Sequence, residues 1–478
     1  MMIKGILNFS QFSRSLAYAS VGLLMAVSAF GETLPTASET AKAMGIGWNL
    51  GNTLEAISSE TAWGNPVTTQ KLIDSVKAAG FNTVRIPVAW DIHATNSVID
   101  ATWIARVKEV VDYCVGRNMY AIINIHWDNG WLENNCTEAK KAENNVKQKA
   151  YWTQIANYFK SYDSHLLFAS ANEPNVTDAT GMAVLLSYHQ TFIDAVRATG
   201  GNNSSRVLIV QGPSTDIEKT YNLMTTLPTD NIASHLMAEV HYYSPWNFCG
   251  LTKDTTYSWG KYYMAYFWGQ SNHSTTDTDH NPTWGEETYL DSCFNLMKTQ
   301  FVDKGIPVVL GEFGAIKRTT LSGADLTLHT ASREYYNKYV AKAAISRGII
   351  PVYWDNGASD FAVFNRSTGA ITDKGLVKAL IDGAGISTPV VRTAGKDRVS
   401  GGSGVSMNPL TGVLTLTVED LDQVRNVVIF DQLGKRVKTL EHSSVQRTIQ
   451  IGQDLKAGIY IIQIQGISGV QSFTISKY

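Results

Sequence analysis

The sequence predicts a (β/α)8 TIM barrel followed by a small all-β sandwich, and three observations carry that prediction. Eight short apolar, β-branched runs recur along most of the chain, without the in-out alternation of a half-solvated sheet. Amphipathic segments of helical spacing separate them. From about Gly385 the composition shifts to Thr, Val, Gly and Ser, and the chain then reads as strands to its end. A length of 478 residues accommodates one large barrel and an accessory module.

The elements follow in order. Lys4 and Arg14 precede an apolar run from Leu16 to Phe30, and the small residues Ala29 and Gly31 precede Glu32, so residues 1–31 read as an export signal. A membrane anchor is the alternative, but the run is about fifteen residues where a spanning helix needs about twenty. No other apolar run reaches that length. The eight runs are Ile46 to Leu50, Thr83 to Val88, Tyr120 to Ile125, Leu166 to Ala171, Val207 to Val210, Leu236 to His241, Pro307 to Leu310 and Ile349 to Tyr353. Between them lie the helical segments Thr68 to Ala79, Thr102 to Arg117, Lys147 to Tyr162, Met182 to Thr199 and Thr330 to Arg347, many of them ending at Gly. A doubly wound open sheet would share this alternation, yet no GxGxxG or Walker sequence follows any run, which removes dinucleotide and phosphate binding. The sixth connection, Tyr242 to Gly305, is the longest and carries Tyr257, Trp259, Tyr262, Tyr263, Tyr266, Phe267, Trp268 and Trp284; it either walls a cleft or is a structural insertion. Residues 32–385 are expected to form the barrel, 386–404 a linker with its flexible core at Ser400 to Gly404, and 405–478 the sandwich, with strands at Gly412 to Glu419, Val424 to Asp431, Gln446 to Ile451 and Ile459 to Gln465.

Forty basic against forty-two acidic residues give a net charge of -2, which becomes -4 once Lys4 and Arg14 leave with the export signal. That balance offers no electrostatic basis for binding nucleic acid or an anionic membrane. An uncharged partner fits better, and 12 Trp and 21 Tyr supply rings for stacking on one as well as for filling a core. Four cysteines remain in the exported chain, Cys114, Cys136, Cys249 and Cys293, and export permits disulfides among them. Cys114 lies on the stripe Trp103, Ile104, Val107, Val110, Val111, Cys114 and is expected to be a buried free thiol.

In such a barrel the chemistry collects at the C-terminal ends of the strands. The first strand ends in Trp48, Asn49; the second passes through Arg85; the third ends in His126, Trp127, Asp128; and the fourth in Asn172, Glu173. The sixth ends in His241, Tyr242, Tyr243, the seventh in Glu312, and the eighth in Trp354, Asp355, Asn356. Each alone has a bland explanation, since a strand Asn or Arg can simply satisfy a backbone carbonyl. Together they place Glu173 and Glu312 on facing walls of one mouth, the pair of carboxyls that glycoside hydrolysis requires. One must stay protonated to serve the leaving oxygen, while neighbours such as Arg85 and Tyr243 keep the other ionised. A metal site of His126, Asp128 and His241 is the competing chemistry, but no HxH or HxxxH spacing supports it, and neither a metal nor another cofactor is expected.

The stretches GWNLGNTLE from Gly47, GFNTVRIPVAW from Gly80, INIHWDNGW from Ile123, FASANEP from Phe168, VHYYSP from Val240, GEFG from Gly311 and YWDNG from Tyr353 resemble glycoside hydrolase family 5, in matching order over about residues 35–385. The resemblance implies a retaining endo-β-1,4-glucanase of the cellulase branch acting on a β-glucan polysaccharide. It assigns the general acid/base to Glu173 and the nucleophile to Glu312, and gives Arg85, His126, Asn172, His241 and Tyr243 supporting roles. Asn49, Trp127, Trp354 and Asn356 are expected to contact substrate, Trp354 as the platform beneath the cleaved unit. Trp127 stands where many relatives have a second His, so substrate preference among cellulose, mixed-linkage glucan, xyloglucan and mannan stays open. A glycan-binding protein that has lost turnover is the non-enzymatic alternative.

The tail, with VVIFDQLGKRV from Val427 and LKAGIYIIQIQ from Leu455 to the terminal SFTISKY, resembles the C-terminal sorting domain of type IX secretion substrates over roughly residues 405–478. That resemblance implies contact with secretion machinery and a secreted or surface-bound protein; a monomer is expected. A carbohydrate-binding module is the alternative, but beyond residue 400 the only rings are Phe430, Tyr460, Phe473 and Tyr478.

Overall fold

The computed structural model describes residues 34–358 and 360–386 and, beyond them, seven strand segments between 404 and 477 with two flanking positions. The expected export signal at 1–31 and most of the expected linker, 387–403, lie outside the described residues.

Eight parallel strands close into a barrel in sequence order: β1 Gly47–Asn49, β2 Thr83–Ile86, β3 Tyr120–Asn124, β4 Leu166–Ala169, β5 Leu208–Gln211, β6 Leu236–Tyr242, β7 Val308–Phe313 and β8 Ile349–Tyr353. Both faces are buried, which is why the runs lacked alternation. The parity is nonetheless strict. Ala121, Ile123, Phe168, Leu208, Val210, Val308 and Leu310 point outward to the helices, whereas Ile122, Leu167, Ala169, Ile209, Met237, Val309, Ile350 and Val352 fill the interior. The first helix, α1 at Ala37–Met44, places Ala37 and Met44 in that inner cluster and so plugs the N-terminal end of the barrel. Its start is fixed by a capping box in which Thr36 and Glu39 satisfy each other's backbone amides.

The surrounding helices are α2 Gln70–Ala78, α3 Ala101–Val115, α4 Glu138–Tyr158, α5 Ala179–Ala198, α6 Ile217–Leu223, α7 Glu287–Gln300, α8 Gly323–Ile345 and α9 Lys374–Gly383. Helix α4 starts nine residues earlier than the apolar spacing predicts, because its first turns carry Glu, Lys and Asn on a solvated face. The sixth connection does both of the things the sequence left open. Trp268 is fully buried against Tyr335, Tyr336 and Tyr339, a structural role. Trp246 instead stands exposed beside Tyr243, and Trp284 packs on Tyr289 at the mouth. All four cysteines are buried free thiols, Cys114 on the inner face of α3 as its stripe predicts.

In the tail, β9 Gly404–Met407, β10 Leu414–Thr417 and β13 Thr448–Ile451 make one antiparallel sheet. A second sheet has the order β12 Arg436–Glu441, β11 Val424–Asp431, β14 Gly458–Gly466, β15 Val470–Lys477. Its β11 and β14 bury Val427, Ile429, Ile462 and Ile464. Three strands escaped the sequence reading: β9 because Gly and Ser suggested only a linker, β12 because Arg436, Lys438 and Glu441 make it strongly charged, and β15 because its run of Gln, Ser and Thr reads as polar. No helix among the described residues is long and apolar enough to cross a membrane.

Candidate active site

The barrel interior changes character along its axis. Toward the C-terminal ends the inward positions become polar, namely Asn49, Arg85, Asn124, Gln211, Glu239 and His241, all at most 6 % exposed. Arg85 is the hub of this layer: Nε lies 3.0 Å from Glu239 Oε1, Nη1 donates to Glu312 Oε1 at 2.9 Å, and Nη2 donates to Asn172 Oδ1 at 2.9 Å. Gln211 donates to Glu239 Oε2 at 2.6 Å and accepts from the Ala171 amide at 2.8 Å. A buried charged layer of this kind survives only when each member is paired, and here each is.

Glu312 reaches the mouth through a backbone irregularity. The register of β7 shifts at Gly311 against both neighbours. Val309 faces inward, so an unbroken strand would turn Glu312 outward; the bulge resets the parity, directing Glu312 in and Phe313 out to the helices. Gly is required there, since a Cβ at 311 would stand 2.1 Å from Glu239 Oε1. Tyr243 completes the anchorage by donating its hydroxyl to Glu312 Oε2 at 3.0 Å.

Glu173 leaves the end of β4 and faces Glu312, with His241 between them. His241 Nδ1 is 2.7 Å from Glu173 Oε1 and 3.8 Å from Glu312 Oε2, and its Nε2 is 3.2 Å from Glu239 Oε1. Burial alone would push the imidazole down, but the charge of Glu312 and the hydrogen bonds to Glu173 and Glu239 outweigh it and hold the ring up at about 9. His241 is therefore an imidazolium donating from both nitrogens. His126, by contrast, is kept well below the usual range by burial and by the charges of Arg85 and His241. Its Nδ1 lies 3.2 Å from Asn124 Nδ2, a pairing that assigns the ring proton to Nε2.

The two central carboxyls titrate apart, in the direction opposite to the expected division of labour. Burial opposes ionisation of Glu173, but the hydrogen bond and charge of His241, with Arg85, override it and hold the carboxyl below its usual range. At Glu312 burial prevails over His241 and Arg85, Glu173 adds its repulsion, and the carboxyl is held up. The proton of the open site thus sits on His241, and it is this ring that keeps Glu173 ionised while the cleft is empty.

Glu173, His241 and Glu312 also bring three ligand-type atoms within 4.8 Å of one another. Within the protein His241 pairs with Glu173 and Glu239, and Glu312 with Arg85 and Tyr243. Asp128, part of the metal alternative, is buried away from this group and accepts from the amides of Trp90 and Asp91 at 2.9 and 2.7 Å and from Trp131 Nε1 at 3.1 Å.

The remaining expected residues divide. Trp354 lies parallel to the His126 ring at 6.1 Å, forming a flat floor, and Trp127 is exposed on the adjacent rim. Asp355 fixes that floor by accepting from Trp48 Nε1 at 3.0 Å and from Arg366 Nη2 at 3.0 Å. Asn49 does not meet the expectation of a substrate contact. It is fully buried, donates Nδ2 to the Gly311 carbonyl at 2.8 Å and accepts from Arg85 at 3.1 Å, because β1 is short and its last inward side chain ends inside the barrel. Asn356 is likewise committed to its own loop, accepting from the Ala358 amide at 3.0 Å and donating to Asp360 at 3.2 Å. Sequence reasoning missed Glu239, Gln211 and Glu133. The first two could have been found as polar residues at the inward parity of buried strands. Glu133, on the loop after β3, accepts from Asn172 Nδ2 and from the Glu173 amide, each at 3.1 Å, and no local pattern announces it.

A cavity of about 230 Å³ opens on the Glu173 side of the pair, lined by Glu173, Thr215, His241, Tyr243 and Tyr289 among others. Because the His241 charge is raised above the free imidazole value of about 6.5, it stabilises the fold fully below that pH, and the contribution is lost as pH rises through about 9. Melting temperature is therefore expected to fall between pH 7 and 10 in the wild type, and less steeply in His241→Asn. Parallel curves by calorimetry would show that His241 does not carry this charge.

The model of the cellulase family, glycosyl hydrolase family 5, matches residues 47–360, and that of the secretion system C-terminal sorting domain matches residues 408–476. Endoglucanase A of Paenibacillus barcinonensis is 37% identical over 73% of this chain and 90% of its own. A xyloglucan-specific endo-β-1,4-glucanase of Bacteroides ovatus is 34% identical over 73% of this chain and 70% of its own. Among solved structures, a family 5 xyloglucan-specific β-1,4-glucanase from a ruminal metagenomic library, in complex with XXLG, superposes with a TM-score of 0.68 at 42% identity, covering 74% of this chain and 97% of that one.

Proposed function

Because the chain belongs to glycoside hydrolase family 5 and carries a secretion sorting domain, we propose that this secreted or surface-bound glycoside hydrolase is a retaining endo-β-1,4-glucanase that cuts internal bonds of a β-glucan by double displacement. The division into an export signal at 1–31, a barrel at 32–385, a linker at 386–404 and a sorting domain at 405–478 is part of the same reading, as is action by a monomer.

The observation that carries it is the spacing and anchorage of the two carboxyls. One carboxylate oxygen of Glu173 and one of Glu312 lie within 4.8 Å of each other, a close approach that accords with the roughly 5 to 5.5 Å separation of the carboxyls in retaining enzymes. Arg85 and Tyr243 orient Glu312 as the attacking carboxylate, and Asn172, whose amide keeps one N–H free of the Glu133 bond, is placed to hold a sugar hydroxyl. Glu173, with a side chain 41% exposed in the open cleft, is the group whose environment a substrate changes most. A glycan that covers it removes water from the carboxylate, makes ionisation costlier, and brings the proton that the leaving oxygen needs. Glu312 attacks the anomeric carbon as the glycosidic oxygen leaves with that proton. Water, deprotonated by Glu173, then opens the glycosyl ester from the same face.

Proton NMR of a soluble cello-oligosaccharide digest is expected to show the β-anomer before the α-anomer in the first minutes. Early α-anomer would overturn the double displacement. A xyloglucan backbone is the second reading of the substrate, favoured by the likeness to two xyloglucan-specific β-1,4-glucanases. Initial rates on carboxymethylcellulose, xyloglucan, mixed-linkage glucan and mannan separate these, and no release from any of them would leave glycan binding without turnover.

A further inference from the structure

Glu133 has no part in the reaction just described, yet it touches two of its components. It sits on the loop after β3, and its Oε2 accepts from the Asn172 side chain and from the backbone amide of Glu173 at the end of β4. The two loops are tied a second time in the same place, where the Asn175 amide donates to the Glu133 carbonyl at 2.8 Å. Asn172 is held from both sides, its Nδ2 by Glu133 and its Oδ1 by Arg85 Nη2 at 2.9 Å, so its amide can adopt only one orientation. One carboxylate oxygen therefore sets the backbone that carries Glu173 and the face that Asn172 shows to a sugar.

We propose that Glu133 is a positioning residue that acts through Glu173: it fixes the backbone and neighbouring amide on which that carboxyl is mounted, and it places a like charge beside it. The inference rests on the reading of Glu173 as acid/base. The ionisable groups that face Glu133 are Glu173 from the end of β4, Glu312 from β7 and Cys136 from its own loop. Burial, together with the charges of Glu173 and Glu312, outweighs its two amide donors and holds Glu133 up at about 7. Coupling between two charges is reciprocal, so ionised Glu133 raises Glu173 in turn. That is the direction a general acid needs.

The test compares Glu133→Gln, Glu133→Ala and Glu173→Ala on a soluble β-1,4-glucan and on an aryl β-cellobioside whose phenolate leaves unprotonated. Gln retains an acceptor oxygen for the two N–H groups and lacks the charge. Glu133→Ala is expected to lose about tenfold or more in kcat on the polysaccharide, with KM within about twofold, and much less on the aryl glycoside. Glu133→Gln is expected to recover most of that loss, while the alkaline limb of its kcat/KM profile moves down by about half a pH unit because a like charge has gone. Wild-type kinetics in Glu133→Ala overturn the proposal. So does an equal loss on both substrates while Glu173→Ala discriminates between them, or a Gln variant whose alkaline limb stays in place. If Glu173→Ala itself fails to discriminate, the acid/base reading falls and takes this proposal with it.

Discussion

Glu312→Gln is expected to lower kcat on soluble β-1,4-glucan by at least about a thousandfold while leaving the affinity for cello-oligosaccharides nearly intact. Amide oxygen is a poor nucleophile, and without attack at the anomeric carbon no glycosyl-enzyme forms. Binding survives because the floor made by Trp354 and His126 and the rim residue Trp127 do not depend on the carboxylate. Folding should survive as well, and the sign can be argued. Glu312 is held above the ordinary carboxylate range, chiefly by burial, so its charge is less at ease in the folded chain than in the unfolded one. Removing that charge is expected to leave the melting temperature unchanged or raised, an instance of a site that spends stability on function. Kinetics, titration calorimetry with an oligosaccharide and a thermal melt on one preparation check all three. A variant that kept more than about a tenth of the wild-type rate would show that Glu312 is not the nucleophile.

Why some of this site could be read from sequence and some could not comes down to parity. The strands were legible because a run buried on both faces is apolar at every position, whichever way each residue points. Glu173 and Glu312 were legible because a carboxyl at the end of such a run has nowhere bland to go twice in one barrel. Inward and outward positions, however, are assigned only by register. Asn49 looked like a mouth residue and proved to be interior scaffolding for Arg85 and the carbonyls of β7 and β8. Glu239 looked like part of a run and proved to be the counter-ion that lets Arg85 be buried at all. The bulge at Gly311 is the sharpest case, since it carries the strand on past Leu310 with the opposite parity and delivers Glu312. Glu133 was beyond local reading because its partners lie about forty residues away and meet it only once the β3 and β4 loops are side by side.

Glu173→Ala should divide substrates by their leaving groups, and that division is the more discriminating of the two large effects. On a polysaccharide the departing oxygen must receive a proton as the bond to carbon breaks, so loss of the acid should cost about a thousandfold or more. An aryl β-cellobioside with an electron-poor phenol needs no such help. Its phenolate leaves with the bonding pair while Glu312 closes on the anomeric carbon, and the first step should proceed at close to the wild-type rate. The second step then fails, because no base remains to deprotonate water, and the glycosyl ester on Glu312 accumulates. Rapid mixing should therefore show a burst of phenolate equal to the enzyme present, followed by a slow steady state. Azide, an anion that needs no deprotonation, should restore turnover by attacking the ester in the space the Glu173 side chain vacates, giving a β-glycosyl azide. The cavity beside Glu173 is open to such an anion. Equal losses on both substrates, without burst or azide rescue, would move the acid/base role away from Glu173.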